Sequence, residues 1–106
     1  MFLKRMHRRR CTLATVDFSS FIRHFAQCAP MDATGDTVGE VFENYFREFR
    51  SARGYILDDQ GSVRPRLAVL VDGALVLDRA GLSDPVHVHA RIFVQQIPLD
   101  VEYEQL

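Results

Sequence analysis

Three sets of side chains in this 106-residue sequence are of types that do chemistry. Asp58 and Asp59 are adjacent carboxylates, the groups a hydrolase uses as general acid and base. Adjacent residues of a strand point to opposite faces, however. Gln60-Gly61 follows them, which predicts a turn where aspartate bonds to its own backbone. No base or nucleophile accompanies the pair, so it reads as structural. His87 and His89 form an H-x-H pair, which on a strand would set both rings on one side. A zinc site wants three or four ligands, and two are offered here. Cys11 and Cys28 have no CxxC spacing and no histidine or acid companion, so they read as buried, inert thiols. No Ser-His-Asp or Cys-His set can be assembled, and P-loop and dinucleotide fingerprints do not occur. No catalytic, cofactor-binding or metal residue is therefore assigned, no cofactor is called for, and a binding or carrier module is expected rather than an enzyme.

Composition narrows the class further. Apolar residues make up 47% of the chain, enough for one folded core and too many for a disordered protein. No apolar run approaches the roughly 18 residues of a membrane span, and residues 1–20 hold no secretory-type apolar segment. A cytoplasmic location and no membrane association are the expectation. The net charge of −1 conceals an asymmetry. Lys4, Arg5, Arg8, Arg9 and Arg10 give residues 1–10 a charge of +5; eight of the 13 basic residues remain against all 14 acidic ones, so the body carries −6. An acidic body makes nucleic acid an unlikely partner, although a basic arm of this kind can touch RNA. The expected organisation is a basic, disordered arm at 1–10, a domain over 11–99 and a tail at 100–106.

The elements follow from periodicity. Arg66 to Leu77 (RLAVLVDGALVL) looks like the organising feature: an apolar strand at 67–71 with both faces covered, an Asp72-Gly73 type I′ turn, and a return strand at 74–77. Residues 11–18 (CTLATVDF) read as the first strand. Residues 21–25 (FIRHF) are too short to type, and a weak strand at 27–33 holds Pro30, which belongs at a sheet edge. Thr37 and Glu40 form a capping box in which each side chain serves the other's backbone N–H. Val38, Val41, Phe42, Tyr45, Phe46 and Phe49 then make one helical stripe, with Gly54 as the C′ residue. Residues 55–63 read as a short extended piece with a turn at Asp59-Gln60-Gly61. Leu82 is a plug for the core, and 90–97 (ARIFVQQI) is the last strand, with Ile92 and Val94 on one face and Phe93 and Gln95 on the other.

One helix across a small mixed sheet is a two-layer α+β arrangement, and this order of elements is that of the ubiquitin-like β-grasp. Particular residues carry the likeness further. The segments Gly54 to Asp59, Leu67 to Gly73, and Gly81-Leu82-Ser83-Asp84-Pro85, with the helix entrance Thr37-Val38-Gly39-Glu40, resemble the MoaD/ThiS sulfur-carrier family, which includes the small subunit of molybdopterin synthase. The resemblance covers about residues 13–97. It implies a fold of small mixed sheet with one long helix packed across one face. It also implies a C-terminal Gly-Gly that an E1-like enzyme adenylates and converts to a thiocarboxylate. Here Asp100-Val101 stands at that position, residues 102–106 (EYEQL) follow, and the last glycine is Gly81.

Because fold does not dictate function, that departure sets the expectation. The leading one is a divergent, non-catalytic protein-interaction module that keeps the scaffold. Its contact surface would be the open sheet face with Phe93 and the tail residues Pro98, Leu99, Asp100 and Val101. The resemblance implies an E1-like adenylating enzyme or a molybdopterin synthase large subunit as partner. The alternatives are a working sulfur carrier, in molybdopterin or thiamin-type cofactor synthesis, with an atypical C-terminus, and a small β-grasp RNA binder that uses the basic arm.

Overall fold

The computed structural model describes residues 13–97. In chain order the elements are β1 (Leu13–Phe18), α1 (Ser20–Phe25), β2 (Met31–Thr34), α2 (Val38–Glu48), a 3-10 turn (Arg50–Ala52), α3 (Arg53–Ile56), β3 (Leu67–Val71), β4 (Ala74–Leu75) and β5 (Arg91–Gln96). They build one five-stranded sheet in the order β2-β1-β5-β3-β4. β1 and β5 run parallel, with Val16 beside Ile92 and Phe18 beside Val94. The other pairs are antiparallel. The centre of the sheet is therefore β5, and the hairpin expected to organise the chain forms one edge. A turn signal announces which strands are joined; which strand pairs on both sides is settled by contacts distant in sequence.

Alternation along β1 and β5 separates two faces. Ala14, Val16, Phe18, Ile92 and Val94 point inward, each no more than 1% exposed. Against them lies α2, whose Val38, Val41, Phe42, Tyr45 and Phe46 are all buried on the expected stripe. Phe18 and Tyr45 meet with ring centres 5.3 Å apart. The Tyr45 hydroxyl donates to Ala29 O at 2.6 Å and accepts from Ala29 N at 3.0 Å. This tether takes the backbone just before Pro30 out of the sheet. β2 therefore starts at Met31, later than expected, while its edge position is as expected.

The helix start differs in one detail. Thr37 Oγ1 accepts from Glu40 N at 3.2 Å, but Glu40 Oε1 accepts from Asp36 N, one residue upstream of the predicted partner, at 2.8 Å. Two further free amides of the first turn are served from the 78–85 loop: Val38 N donates to Asp84 O at 2.9 Å and Gly39 N to Leu82 O at 2.8 Å. The segments Thr37–Glu40 and Gly81–Pro85 thus form one joint, with Leu82 plugged into the core at 2% exposure. A Cβ on Gly39 would come 3.2 Å from Leu82 O, so a larger residue there would push the loop back by a few tenths of an ångström.

The helix is shorter than its stripe. Phe49 caps it with φ −120° and ψ 67°, and its ring stacks on Tyr45 at 4.9 Å. Gly54 lies inside α3 and is not a C′ residue, because the chain resumes helical turns after Phe49. Tyr55 and Ile56 are correspondingly helical, and the extended piece shrinks to a single bridge between Leu57 and Val63. Residues 21–25 belong to α1, which Ser19 caps by accepting from Ile22 N at 3.3 Å.

The hairpin turn has the predicted geometry, with φ +50° at Asp72 and +88° at Gly73. Its return strand stops at Leu75, because the Asp84 carboxylate takes the amides of Leu77 and Asp78, each at 2.8 Å. Leu77 is left 92% exposed. Ala68 and Val69, on opposite faces of β3, are both fully buried, but Leu70 and Val71 are only half-buried. Leu70 lies on the outer face, where cover is therefore partial, while Val71 lies on the inner face at the end of the strand.

Candidate partner-binding surface

The open face of the sheet is built by the residues that alternate with the core. Phe93 sits on the central strand, beside Asp17 of β1 and Leu70 of β3, and is half-buried. Around it, Thr15, Asp17, Leu70, Asp72 and Arg91 border a shallow depression of about 470 Å³. Its rim is tied down by hydrogen bonds. The Thr15 hydroxyl donates to Asp32 Oδ1 at 2.7 Å, and Asp17 Oδ1 accepts from Phe18 N at 2.7 Å. Arg91 N donates to Asp72 Oδ1 at 3.0 Å and Asp72 N to Arg91 O at 2.8 Å, which fixes the hairpin tip to β5. An aromatic ring and a leucine set among a carboxylate, a hydroxyl and a guanidinium suit recognition of a protein surface.

β5 delivers the chain to the end of this face under tight control. Ile97 is 2% exposed, its N–H donates to Arg66 O at 2.7 Å, and Arg66 Nη2 donates to Ile97 O at 3.5 Å. Pro98, Leu99, Asp100 and Val101, expected to share the contact surface with Phe93, lie outside the described residues, as do the basic arm and Cys11.

The remaining chemical groups are placed differently. Asp58 Oδ1 accepts from Gln60 N at 2.8 Å and Ser62 N at 3.0 Å, which is the local turn role expected of it. His87 and His89 are exposed and lie on no strand: His89 stands in a turn with φ +64°, so the shared-side geometry expected of a strand does not arise. Among the described residues no group of three or more His, Cys, Asp or Glu side chains is arranged to hold a metal. Cys28 is a half-buried free thiol. Burial pushes its pKa up, with nearby Arg23 opposing, so the reactive thiolate is disfavoured.

One surface went unread in the sequence. A groove of about 400 Å³ lies between α1, α3 and residues 64–67, walled by Phe21, Phe25, Tyr55 and Leu67, with Arg64 and Arg66 alongside. Phe21, Phe25 and Tyr55 are each more than half exposed. The signal was the i, i+4 pair Phe21 and Phe25, whose rings meet at 4.9 Å. A six-residue helix is too short for that pair to register as periodicity.

The sheet order, the parallel β1–β5 pair and the helix across one face define a ubiquitin-like β-grasp protein. No family model and no curated protein sequence matches the chain. Solved structures do. Small archaeal modifier protein 1 of Haloferax volcanii superposes with a TM-score of 0.67 at 12% identity, covering 82% of this chain and 99% of that one. CysO of Mycobacterium tuberculosis gives a TM-score of 0.67 at 18% identity, with 80% and 99% covered. A chain of the Amycolatopsis orientalis BexX/CysO complex gives 0.69 at 16% identity, with 83% and 99% covered. The β-grasp expectation drawn from residues 13–97 is thus met at the level of fold. Among the described residues no helix is long and apolar enough to cross a membrane.

Proposed function

We propose that this chain is a protein carrier of the sulfur-carrier type: a ubiquitin-like body docked by an adenylating enzyme, with the segment after β5 as its working end. The observation that carries the reading is the likeness over nearly the whole length of a modifier and of CysO. It is joined by the sequence resemblance at 37–40, 54–59, 67–73 and 81–85. In this scheme the chain is a substrate and contributes no catalytic group. The enzyme would direct the carrier's terminal carboxylate at the α-phosphate of ATP, releasing pyrophosphate, and a sulfur nucleophile would then displace AMP. The open face around Phe93 is the docking surface, consistent with a neighbour whose structure is a complex of CysO with BexX.

Asp100-Val101 at the position of the family's Gly-Gly supports a second reading, a docking module that binds the same class of partner without being activated. Incubating the full chain with the E1-like enzyme of its own organism and ATP separates the two. A carrier produces chain-dependent ATP–pyrophosphate exchange, which blocking the C-terminus abolishes. A docking module binds with the tail blocked and supports no exchange. In either case Phe93→Asp should weaken partner binding by at least about tenfold, as for a central aromatic of an interface. Unchanged binding would remove the open face from both readings.

A further inference from the structure

We infer that the groove between α1, α3 and residues 64–67 is a second docking surface, and that it takes an apolar segment edged with carboxylates on a partner protein. Three observations carry this.

The first is open apolar surface. Phe21, Phe25 and Tyr55 wall the groove above a floor of buried Ile22 and Ile56, and the three rings are 52%, 56% and 54% exposed. Large apolar groups gathered on one surface and open to water mark an interaction site. A small ligand is normally enclosed on most sides by its pocket, and walls this open would leave such a ligand largely in solvent. A protein segment laid along the groove would cover all three rings.

The second is charge. The body of the chain is acidic, yet the described lining of the groove holds two arginines, Arg64 and Arg66, and no carboxylate. Both are held in place: Arg64 Nε–H donates to Gly54 O at 2.6 Å, and Arg66 Nη2 donates to Ile97 O at 3.5 Å. Positioned guanidinium groups beside an apolar surface match carboxylates set beside apolar side chains, and they disfavour a basic partner. Two arginines on an acidic body are no track for a nucleic-acid backbone.

The third is continuity with the open face. Near the end of β5, Phe93 and Gln95 point to the open face and Gln96 lines the groove. The two surfaces therefore meet at the end of one strand, where a single partner can cover both.

This inference stands apart from the carrier reading, because it concerns which surface binds and its test needs no adenylating enzyme. The test is selection of a displayed library of random peptides on the full chain, followed by titration of the selected peptides into the isotope-labelled full chain by NMR. The expected peptides combine aromatic or aliphatic residues with Asp or Glu, and their binding shifts the amides of residues 20–26, 53–57 and 64–67. Phe25→Ser and Arg64→Glu, both at exposed positions outside the core, should each weaken that binding by at least about tenfold. Leu77→Ser, which removes an exposed apolar side chain elsewhere, should leave it unchanged. Recovery of no peptide that seats in the groove would overturn the inference. So would groove binders without acidic residues, or binders indifferent to Arg64→Glu. Groove amides that shift when the chain alone is diluted would overturn it as well, since the occupant would then be a second copy.

Discussion

The two faces of the sheet are written by alternate residues of the same strands and obey different rules. On the inner face Val16, Phe18, Val69, Ile92 and Val94 are at most 1% exposed and meet the α2 stripe. On the open face Thr15, Asp17, Phe93 and Gln95 remain half-buried. The inner face is constrained by packing, so volume and shape decide what it tolerates. The open face is partly exposed to solvent, so its side chains can change at a smaller cost to the fold. That division explains how a chain at 12–18% identity shares the fold of the modifier and CysO structures.

The sharpest way to break the comparison is truncation on the inner face. Phe18→Ala should cost about 3–5 kcal/mol in denaturant unfolding. A cost below about 1 kcal/mol, the range expected for Gln95→Thr on the open face, would mean the two faces do not differ as described.

Tyr45 gives a smaller effect with a pH signature. Tyr45→Phe should cost about 1–3 kcal/mol, since it leaves Ala29 N–H and C=O without their partner. Burial, the main cause, pushes the Tyr45 pKa from 10.0 up to about 12. A folded pKa above the unfolded one means that stability is complete below pH 10 and is lost as pH rises toward about 12. The denaturation midpoint should therefore fall across that window in the unaltered chain, and Tyr45→Phe should flatten the fall.

The smallest effect belongs to the loop that caps α2. Asp78 accepts from the Ser83 hydroxyl at 2.6 Å and from the amides of Gly81 and Ser83, which hold its carboxyl below the usual 3.8. Its contribution is present above pH 3.8 and is lost as pH falls through the lowered value. Ser83→Ala removes the largest cause of that lowering, so it should reduce stability slightly at neutral pH, and the difference from the unaltered chain should shrink as pH falls through the lowered value.

Much of this molecule was decided by short-range chemistry and could be read directly. The stripe at Val38, Val41, Phe42, Tyr45 and Phe46, the Thr37 cap, the Asp72-Gly73 turn and the Leu82 plug all depend on neighbours within a few residues or on burial pattern alone. The errors lie where a distant group competes for the backbone. Asp84 takes the amides of Leu77 and Asp78 and stops β4 at Leu75. Tyr45 holds Ala29 and delays β2, and α3 absorbs Gly54. The open face was half legible: alternation put Phe93 opposite the core, but only the register shows Asp17 and Leu70 beside it. The groove was not legible, since Phe21, Tyr55 and Arg66 come from three separate segments. Sequence alone determined the longer elements, β1, α2, β3 and β5, because hydrogen-bond caps and side-chain periodicity are local. Tertiary structure decided which strand is central and which surfaces are open, because those follow from pairings between residues far apart in the chain.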